Sequence, residues 1–216
     1  MNRELAIDGL RARKKRETRS ALAWAAVRLT VERGFGNVSV EDIAAAAGVS
    51  PRTFNNYFFN KAEAVVARHV DRLHAIAAEL RARPPEEQLW AAIGETVITE
   101  FSGEGGDGPP HPLWSAGVKL MVAEPAVQAE FLRQSHIVES DIAAAITERI
   151  GAGPDASYPH LVAAAVGAVI QVSLEQWLRA PQVQSLRQIM QTAFELMSRI
   201  ADVSKATSSD SSPSIE

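Results

Sequence analysis

Apolar residues along this chain recur every three to four positions, and no stretch alternates apolar and polar residues with a period of two. The first spacing puts apolar side chains on one face of an α-helix, whereas a half-exposed β-strand needs the second. Leu22, Ala26 and Leu29 show the helical spacing, and they predict a first helix over residues 18–33 that ends at Gly34. The pattern predicts an all-α protein.

Start and stop signals predict two short helices next. Ser39 followed by Asp42 is the pattern of a capping box, and Gly48 ends the apolar stripe that begins there. Ser50 followed by Pro51 predicts the start of another helix, because the first helical residue needs no N–H. We therefore expect a helix that starts after Ser39, a break of three or four residues centred on Gly48-Val49, and a third helix of barely two turns.

The rest of the chain predicts longer amphipathic helices. The expected ranges are 60–83, 86–101, 113–122, 126–150, 158–180 and 183–203. Residues 204–216 have almost nothing to bury, so we predict a disordered tail there.

The third predicted helix carries the most informative side chains. Phe54 and Phe58 lie one turn apart and should face inward, so that Arg52 and Asn56 point away. Arginine and asparagine read guanine and adenine edges in a major groove, while hydroxyls and helix N-termini suit phosphates. The predicted DNA-binding residues are Ser39, Ser50, Pro51, Arg52, Thr53, Asn55, Asn56, Tyr57 and Lys61, with Tyr57 and Lys61 at the phosphate margin. The alternative is an ordinary capped surface helix.

Charge is distributed unevenly along the chain. Residues 1–61 have a net charge of +5, residues 62–216 of −9, and the whole chain of −4. A basic head on an acidic body is typical of a protein whose N-terminal part binds a polyanion. We predict a DNA-binding domain with a basic arm over residues 1–61 and a helical effector-binding and dimerisation domain over 62–203.

Residues 14–66 resemble the N-terminal domain of the tetracycline-repressor (TetR/AcrR) family of bacterial regulators. The matching positions are Ala25-Ala26, Leu29, Glu32-Arg33-Gly34-Phe35, Val40, Ile43-Ala44, Ala47-Gly48-Val49-Ser50, Phe58 and Lys61. The resemblance implies three DNA-binding helices, a fourth connecting helix, and a helical C-terminal domain that dimerises and binds a small effector. The stretch SPRTFNNYF resembles a subgroup linked with acyl-CoA and mycofactocin-type regulation. Asn55 and Tyr57 depart from the family's frequent residues, so no relative supplies the operator sequence.

The last two predicted helices are candidates for the dimer interface. One is rich in small residues and the other has a continuous apolar stripe, although an intramolecular core explains both nearly as well. The predicted interface residues are Ala164, Ala168, Leu186, Ile189, Ala193 and Ile200. Bulky residues on the middle helices predict an apolar effector pocket, with ordinary core packing as the alternative for each. They are Trp90, Phe101, Trp114, Met121, Phe131 and Trp177.

Chemistry beyond binding has little support. The chain lacks cysteine, which excludes disulfides and thiolate sites. The sequence GEGGDG at residues 103–108 fits a dinucleotide motif but follows a helix where a strand is required. His136 and Glu139 lie one turn apart without a second such pair. We predict no enzymatic activity, cofactor or metal, and no membrane segment, since the most apolar run, 161–174, is too short to span a bilayer.

These features predict a cytoplasmic, homodimeric transcriptional regulator. We expect it to repress by binding a palindromic operator and to leave that operator when it binds a largely hydrophobic small molecule. The first alternative is a helical ligand-binding or adaptor protein that does not bind DNA. The second is an all-α enzyme, which would need titratable groups that converge in the C-terminal part.

Overall fold

The computed structural model describes residues 2–102, 112–153, 156–179 and 184–209. Every regular element in these ranges is helical, which confirms the all-α prediction. The helices are α1 (Asn2–Arg33), α2 (Val40–Ala46), α3 (Pro51–Asn55), α4 (Lys61–Ala82), α5 (Leu89–Ser102), α6 (Pro112–Ala123), α7 (Pro125–Ile150), α8 (Ser157–Arg179) and α9 (Leu186–Ser209), with a 3₁₀ turn over Phe35–Asn37. The GEGGDG motif lies outside the described residues.

Contacts within the chain divide it into two compact units. The first consists of Met1–Asp71 and His111–His136, and the second of Arg72–Pro110 and Ile137–Glu216. The chain passes between the units three times: within α4, between α5 and α6, and within α7. The helix α6 therefore belongs to the same unit as α1 to α3, which a single division at residue 61 does not take into account. How far the DNA-binding domain extends stays a prediction.

α1 begins much earlier than the predicted start at residue 18. Its first half consists largely of arginine, lysine and glutamate, which favour helix even where they bury nothing. Arg13 and Glu17 add an ion pair one turn apart, at 3.4 Å. The apolar pattern missed the stretch before residue 18, where residues 10–17 are all exposed. The predicted basic arm is thus a continuation of the first helix.

In the second unit, α9 packs against α5 and α8. α5 lies close to α9 at Gly94, where an added Cβ would stand 3.2 Å from the Cβ of Phe194. α9 continues to Ser209, so the predicted tail is helical over residues 204–209. Residues 210–216 lie outside the described part of the chain.

α8 is longer than the apolar run from which we predicted no membrane segment. Its 23 residues are long and apolar enough to cross a membrane by length and composition alone, which corrects that argument. The core helices of water-soluble proteins pass the same test. One side of α8 is buried, including Val166 and Ser173, which are fully inaccessible.

Candidate DNA-binding surface

A capping box starts α2, as predicted. The N–H of Asp42 donates to the hydroxyl oxygen of Ser39 at 3.1 Å, and the N–H of Ser39 donates to the Asp42 carboxylate at 2.9 Å. The hydrogen bond from the Ser39 backbone, followed by that from its side chain, holds the pKa of Asp42 below its ordinary value. These bonds fix where α2 begins.

The turn between α2 and α3 has the hydrogen bonds of a Schellman motif. The N–H of Val49 donates to the carbonyl of Ala44 at 2.9 Å, and the N–H of Gly48 donates to that of Ala45 at 3.0 Å. Gly48 has a φ of 69°, a left-handed conformation that residues with a Cβ disfavour. The glycine therefore allows the tight break that the sequence predicts.

α3 is shorter than the predicted two turns and spans five residues, Pro51–Asn55. The hydroxyl of Ser50 accepts the N–H of Thr53 at 3.1 Å and caps its start. Phe54 and Phe58 are 0% and 2% exposed, with ring centroids 5.6 Å apart. The buried rings hold this short helix, because five residues cannot form a stable helix alone.

The opposite side of α3 is open to solvent. Pro51, Arg52, Asn55 and Asn56 are exposed, and Thr53 is half-buried. Arg52 stands three and four positions before the two asparagines, a spacing that makes side chains neighbours on a helix surface. The structure thus presents a guanidinium and two carboxamides on one exposed side, as the sequence predicts.

The sequence predicts Lys61 at the outward margin of α3, but in the structure its ammonium points to backbone carbonyls of the protein. Its ammonium donates to the carbonyls of Phe35 at 2.7 Å and Val38 at 2.8 Å, and it lies 4.3 Å from the centroid of the Phe35 ring. Hydrogen bonds from a charged donor are stronger than those from a neutral one, so the two carbonyls before α2 hold this half-buried ammonium in place. Lys61 therefore joins the start of α4 to the turn that follows α1.

Ser39 and Ser50 use their hydroxyls within the protein. The Ser39 hydroxyl lies 2.7 Å from the Asp42 carboxylate, and the Ser50 hydroxyl lies 2.9 Å from the Thr53 hydroxyl. Both serines hold helix starts in this structure. Their contacts with phosphates stay a prediction, as does that of the half-buried Tyr57.

Phe59 is a surface residue that the sequence analysis missed. It is 91% exposed, immediately after the buried Phe58, and its N–H donates to Glu63 at 2.6 Å. A helical spacing of four residues lets Phe54 and Phe58 share the core, so a third phenylalanine next to them has to face elsewhere. That spacing was the available signal.

Arg19 of α1 packs on one of the two buried rings that hold α3. The Arg19 guanidinium lies 5.0 Å from the centroid of the Phe58 ring and forms an ion pair with Asp71 of α4. Arginine over an aromatic face is attracted by the ring quadrupole. Arg19 thus connects α1, α4 and the aromatic pair that orients the exposed side of α3.

The first half of α1 adds positive charge to the same unit. Its exposed basic residues are Arg11, Arg13, Lys14, Lys15 and Arg16. Residues 11–17 contain one acidic residue, Glu17, and the earlier part of the helix contains Glu4 and Asp8. A cationic helix of this kind suits a DNA backbone, which attracts lysine and arginine without regard to sequence.

Two of the six predicted effector-pocket residues line a described cavity. Trp114 and Met121 contribute to a space of about 30 Å³ within the first unit, which is roughly the volume share of one water molecule. Phe131 lies in the same unit with its ring centroid 4.9 Å from that of His69. The other three belong to the second unit: Trp90, Phe101 and Trp177. A common pocket of all six stays a prediction.

The predicted dimer residues fall into two groups. Leu186 and Ile189 are each 5% exposed within a single chain, because this side of α9 packs inside its own unit. For these two, the intramolecular alternative is the one the structure shows. Ala164, Ala168 and Ile200 are exposed, and Ala193 is half-buried.

The described ranges contain no group of three or more His, Cys, Asp or Glu side chains that could hold a metal ion. The absence of metals and cofactors stays a prediction for the whole chain.

Two family models match the chain over the parts just described. The model of tetR-family bacterial regulatory proteins matches residues 24–67, which contain the helix-turn-helix. The model of the MftR C-terminal domain matches residues 87–201, more than half of the chain. The chain belongs to the TetR family. The second match also confirms the likeness to mycofactocin-type regulators that the sequence around α3 predicts.

Two TetR-family relatives match most of the chain. The transcriptional regulator TcmR of Streptomyces glaucescens is 33% identical over 180 residues, which cover 80% of this chain and 78% of TcmR. MftR of Mycobacterium tuberculosis, described as a regulator of mycofactocin biosynthesis, is 25% identical over 189 residues, covering 86% and 91%. The chain is a DNA-binding transcriptional regulator, and the adaptor interpretation is not favoured.

Solved structures of TetR-family regulators share the fold. The SmeT repressor of Stenotrophomonas maltophilia is 19% identical with a TM-score of 0.53, covering 83% of this chain and 89% of SmeT. The NalD repressor of Pseudomonas aeruginosa is 20% identical with a TM-score of 0.56, covering 86% and 96%. A regulator from Syntrophomonas wolfei is 16% identical with a TM-score of 0.62, covering 87% and 96%. Identities this low show the fold alone.

Proposed function

We propose that this TetR-family regulator is a homodimeric, cytoplasmic repressor that leaves a palindromic operator when a small hydrophobic effector binds. The observation that carries the proposal is the exposed side of α3, where Arg52, Asn55 and Asn56 project while two phenylalanine rings are buried behind them. Repression is the activity named for SmeT and NalD, which have the same fold. No enzymatic step is part of this function.

Base readout comes from the guanidinium and the two carboxamides. Arg52 would donate to the O6 and N7 atoms of a guanine, and Asn55 or Asn56 would pair with the N6 and N7 atoms of an adenine. The exposed Phe59 adds an apolar surface beside them that suits a thymine methyl group. The basic first half of α1 would contact phosphates and contribute affinity without specificity.

Dimerisation would bury the apolar side that α8 and α9 leave exposed. Leu161 and Val172 of α8 are 67% and 59% exposed, and Leu196 and Ile200 of α9 are 52% and 64% exposed. A patch of exposed apolar residues typically marks a surface that contacts another protein. A twofold pair of α3 helices would then read half-sites about 34–36 Å apart.

An effector would release the operator by binding the DNA-free form more tightly. A structure of SmeT in complex with triclosan shows an apolar aromatic compound on a protein of this fold. A coupling of about 1–3 kcal/mol is typical for two linked sites and would weaken operator binding by roughly 5- to 150-fold. The acidic second part of the chain favours a hydrophobic or cationic effector over a polyanion.

Selection of bound fragments from genomic DNA tests this proposal. We expect recovered fragments to share a palindrome, and the affinity for it to fall steeply as salt rises, because phosphate contacts release counterions. A protein that binds no fragment even at low ionic strength would contradict the proposed function. The location of the palindrome would also identify the regulated genes.

A further inference from the structure

An open cleft lies beside the helix-turn-helix, within the first unit. It has a volume of about 430 Å³, which is in the range of small-molecule sites. The lining residues come from α1, the end of α2 and the start of α6: Ala21, Trp24, Ala25, Arg28, Ala46, Ala47 and Leu113. None of the sequence patterns predicts this site, because its walls are mostly alanines that look like ordinary helix formers.

The walls of the cleft favour a flat apolar ligand. Four of the seven lining residues are alanines, whose short side chains leave a low, smooth surface. Trp24 supplies an indole, which packs well against another aromatic ring. The Arg68 guanidinium lies 3.9 Å from the centroid of that indole and helps to fix its orientation.

The one charged side chain among the lining residues is cationic. Arg28 has 46% of its side chain exposed, and its described ion pair is with Glu32 at 3.4 Å, one turn away on the same helix. Pairs of this exposed kind contribute little, so an anionic ligand competes with Glu32 at small cost. Charge complementarity therefore favours a ligand with an acidic group.

A second space lies next to the cleft. Trp24 and Leu113 line both the cleft and the cavity of about 30 Å³ that contains Trp114. Gly117 and Val27 also line that cavity, and an added Cβ at Gly117 would stand 3.3 Å from Val27, so α6 packs tightly on α1 there. A ring that fills the cleft would contact Trp24 and Leu113. Because these two residues also line the cavity, the ring could shift the packing of α6 on α1.

We propose that the cleft binds a planar, largely apolar anion, such as an aromatic carboxylate, phenolate or sulfonate. The ring would lie on the alanine surface against Trp24, with its acidic group at Arg28. Ala46 and Ala47 directly precede the turn at Gly48, so the ligand would contact the helix-turn-helix itself. This site goes beyond the proposed function, and only its effect on operator binding rests on that function.

A pair of leucine substitutions on α2 tests the site. Ala46 lines the cleft, whereas its neighbour Ala45 is equally exposed and does not. With 1-anilinonaphthalene-8-sulfonate as the probe and no DNA present, we expect Ala46→Leu to raise the Kd at least about tenfold, because leucine occupies ligand volume. Ala45→Leu should bind like the unsubstituted chain. Equal Kd values for the two variants would overturn the proposal.

The role of Arg28 has its own test. Arg28→Gln should weaken binding of the sulfonate probe about fivefold, as expected for one exposed charge contact. The uncharged analogue N-phenyl-1-naphthylamine should bind Arg28→Gln and the unsubstituted chain equally. Equal weakening of both probes, or of neither, would contradict an anion at this position. Circular dichroism spectra of all variants confirm that they fold.

The link to DNA is measured separately. If the ligand contacts the helix-turn-helix, saturating sulfonate probe should change the operator Kd at least about fivefold, and Ala46→Leu should abolish this change. An operator Kd that does not respond to the probe would contradict the link. Failure of the proposed function appears differently, as absent DNA binding without any probe.

Discussion

The helix-turn-helix and the α8–α9 pair are both helical, but their side chains are oriented by different kinds of interaction. Between Ser39 and Phe58, a capping box, a glycine turn, a second cap and two buried rings fix the geometry within twenty residues. In α8 and α9, packing between separate helices decides which side is buried, since α9 packs against α5 and α8. The outward side of α3 can thus be predicted from nearby residues in the sequence. The outward side of α9 can be predicted only once the packing of the helices is known.

The largest difference in stability between a buried and an exposed substitution should appear at two phenylalanines that lie five positions apart. Phe54→Ala should lower the free energy of unfolding by about 3–5 kcal/mol, because it removes a fully buried ring. Phe59→Ala is the matched control and should leave stability nearly unchanged, since its ring is exposed. Urea unfolding of both variants measures this. Similar losses for the two would mean that α3 is oriented differently.

The next-largest expected effect is on the dimer Kd, when a charge is placed on the exposed side of α8. Leu161→Glu places a carboxylate on both copies of the proposed interface, and we expect the dimer Kd to rise by about 100-fold, or roughly 2.7 kcal/mol. Leu132→Glu, at a 60%-exposed position of α7, is the control. Sedimentation velocity measures the oligomeric state. If both variants remain equally dimeric, α8 is not the interface.

The glycine turn should have a smaller effect. Gly48→Ala forces a side chain into a left-handed conformation and should cost about 1 kcal/mol of stability. Gly36→Ala is matched, because an added Cβ has no neighbour within 4 Å at either position and Gly36 lacks a positive φ. Thermal unfolding compares the two. Equal midpoints would show that the turn does not depend on glycine.

The smallest effect concerns pH. The pKa of Asp42 is lowered in the folded protein by its hydrogen bonds with Ser39, so its contribution is full above the unfolded pKa and is lost as pH falls through the folded one. Asp42→Asn should therefore be less stable than the unsubstituted chain at neutral pH, with a gap that narrows in acid. Urea unfolding at several pH values measures the gap, with Glu41→Gln as the control. A constant gap would contradict this role.

Local chemistry explains which features the sequence predicts. The caps at Ser39 and Ser50 and the break at Gly48 depend on neighbours within five residues, and all are found in the structure. The inward side of α3 follows from the four-residue spacing of Phe54 and Phe58, both of which are buried. Lys61 was misplaced because its partners, Phe35 and Val38, lie more than twenty residues away.

Features without an apolar stripe were also missed. Residues 10–17 of α1 are exposed, and the cleft at Trp24 is formed only when α1, α2 and α6 come together. The burial of Leu186 and Ile189 likewise depends on packing within the second unit. These features follow from tertiary contacts, which local patterns do not encode.

Whether the exposed side of α3 reads bases can be measured with one binding comparison. Fluorescence anisotropy should give the affinity of Arg52→Ala for the operator and for random duplex DNA at the same salt concentration. We expect the operator preference to fall about tenfold or more, as for the loss of one bidentate base contact, whereas Arg13→Ala weakens binding to both DNAs alike. If Arg52→Ala leaves the operator preference unchanged, then the exposed side of α3 does not read bases through Arg52.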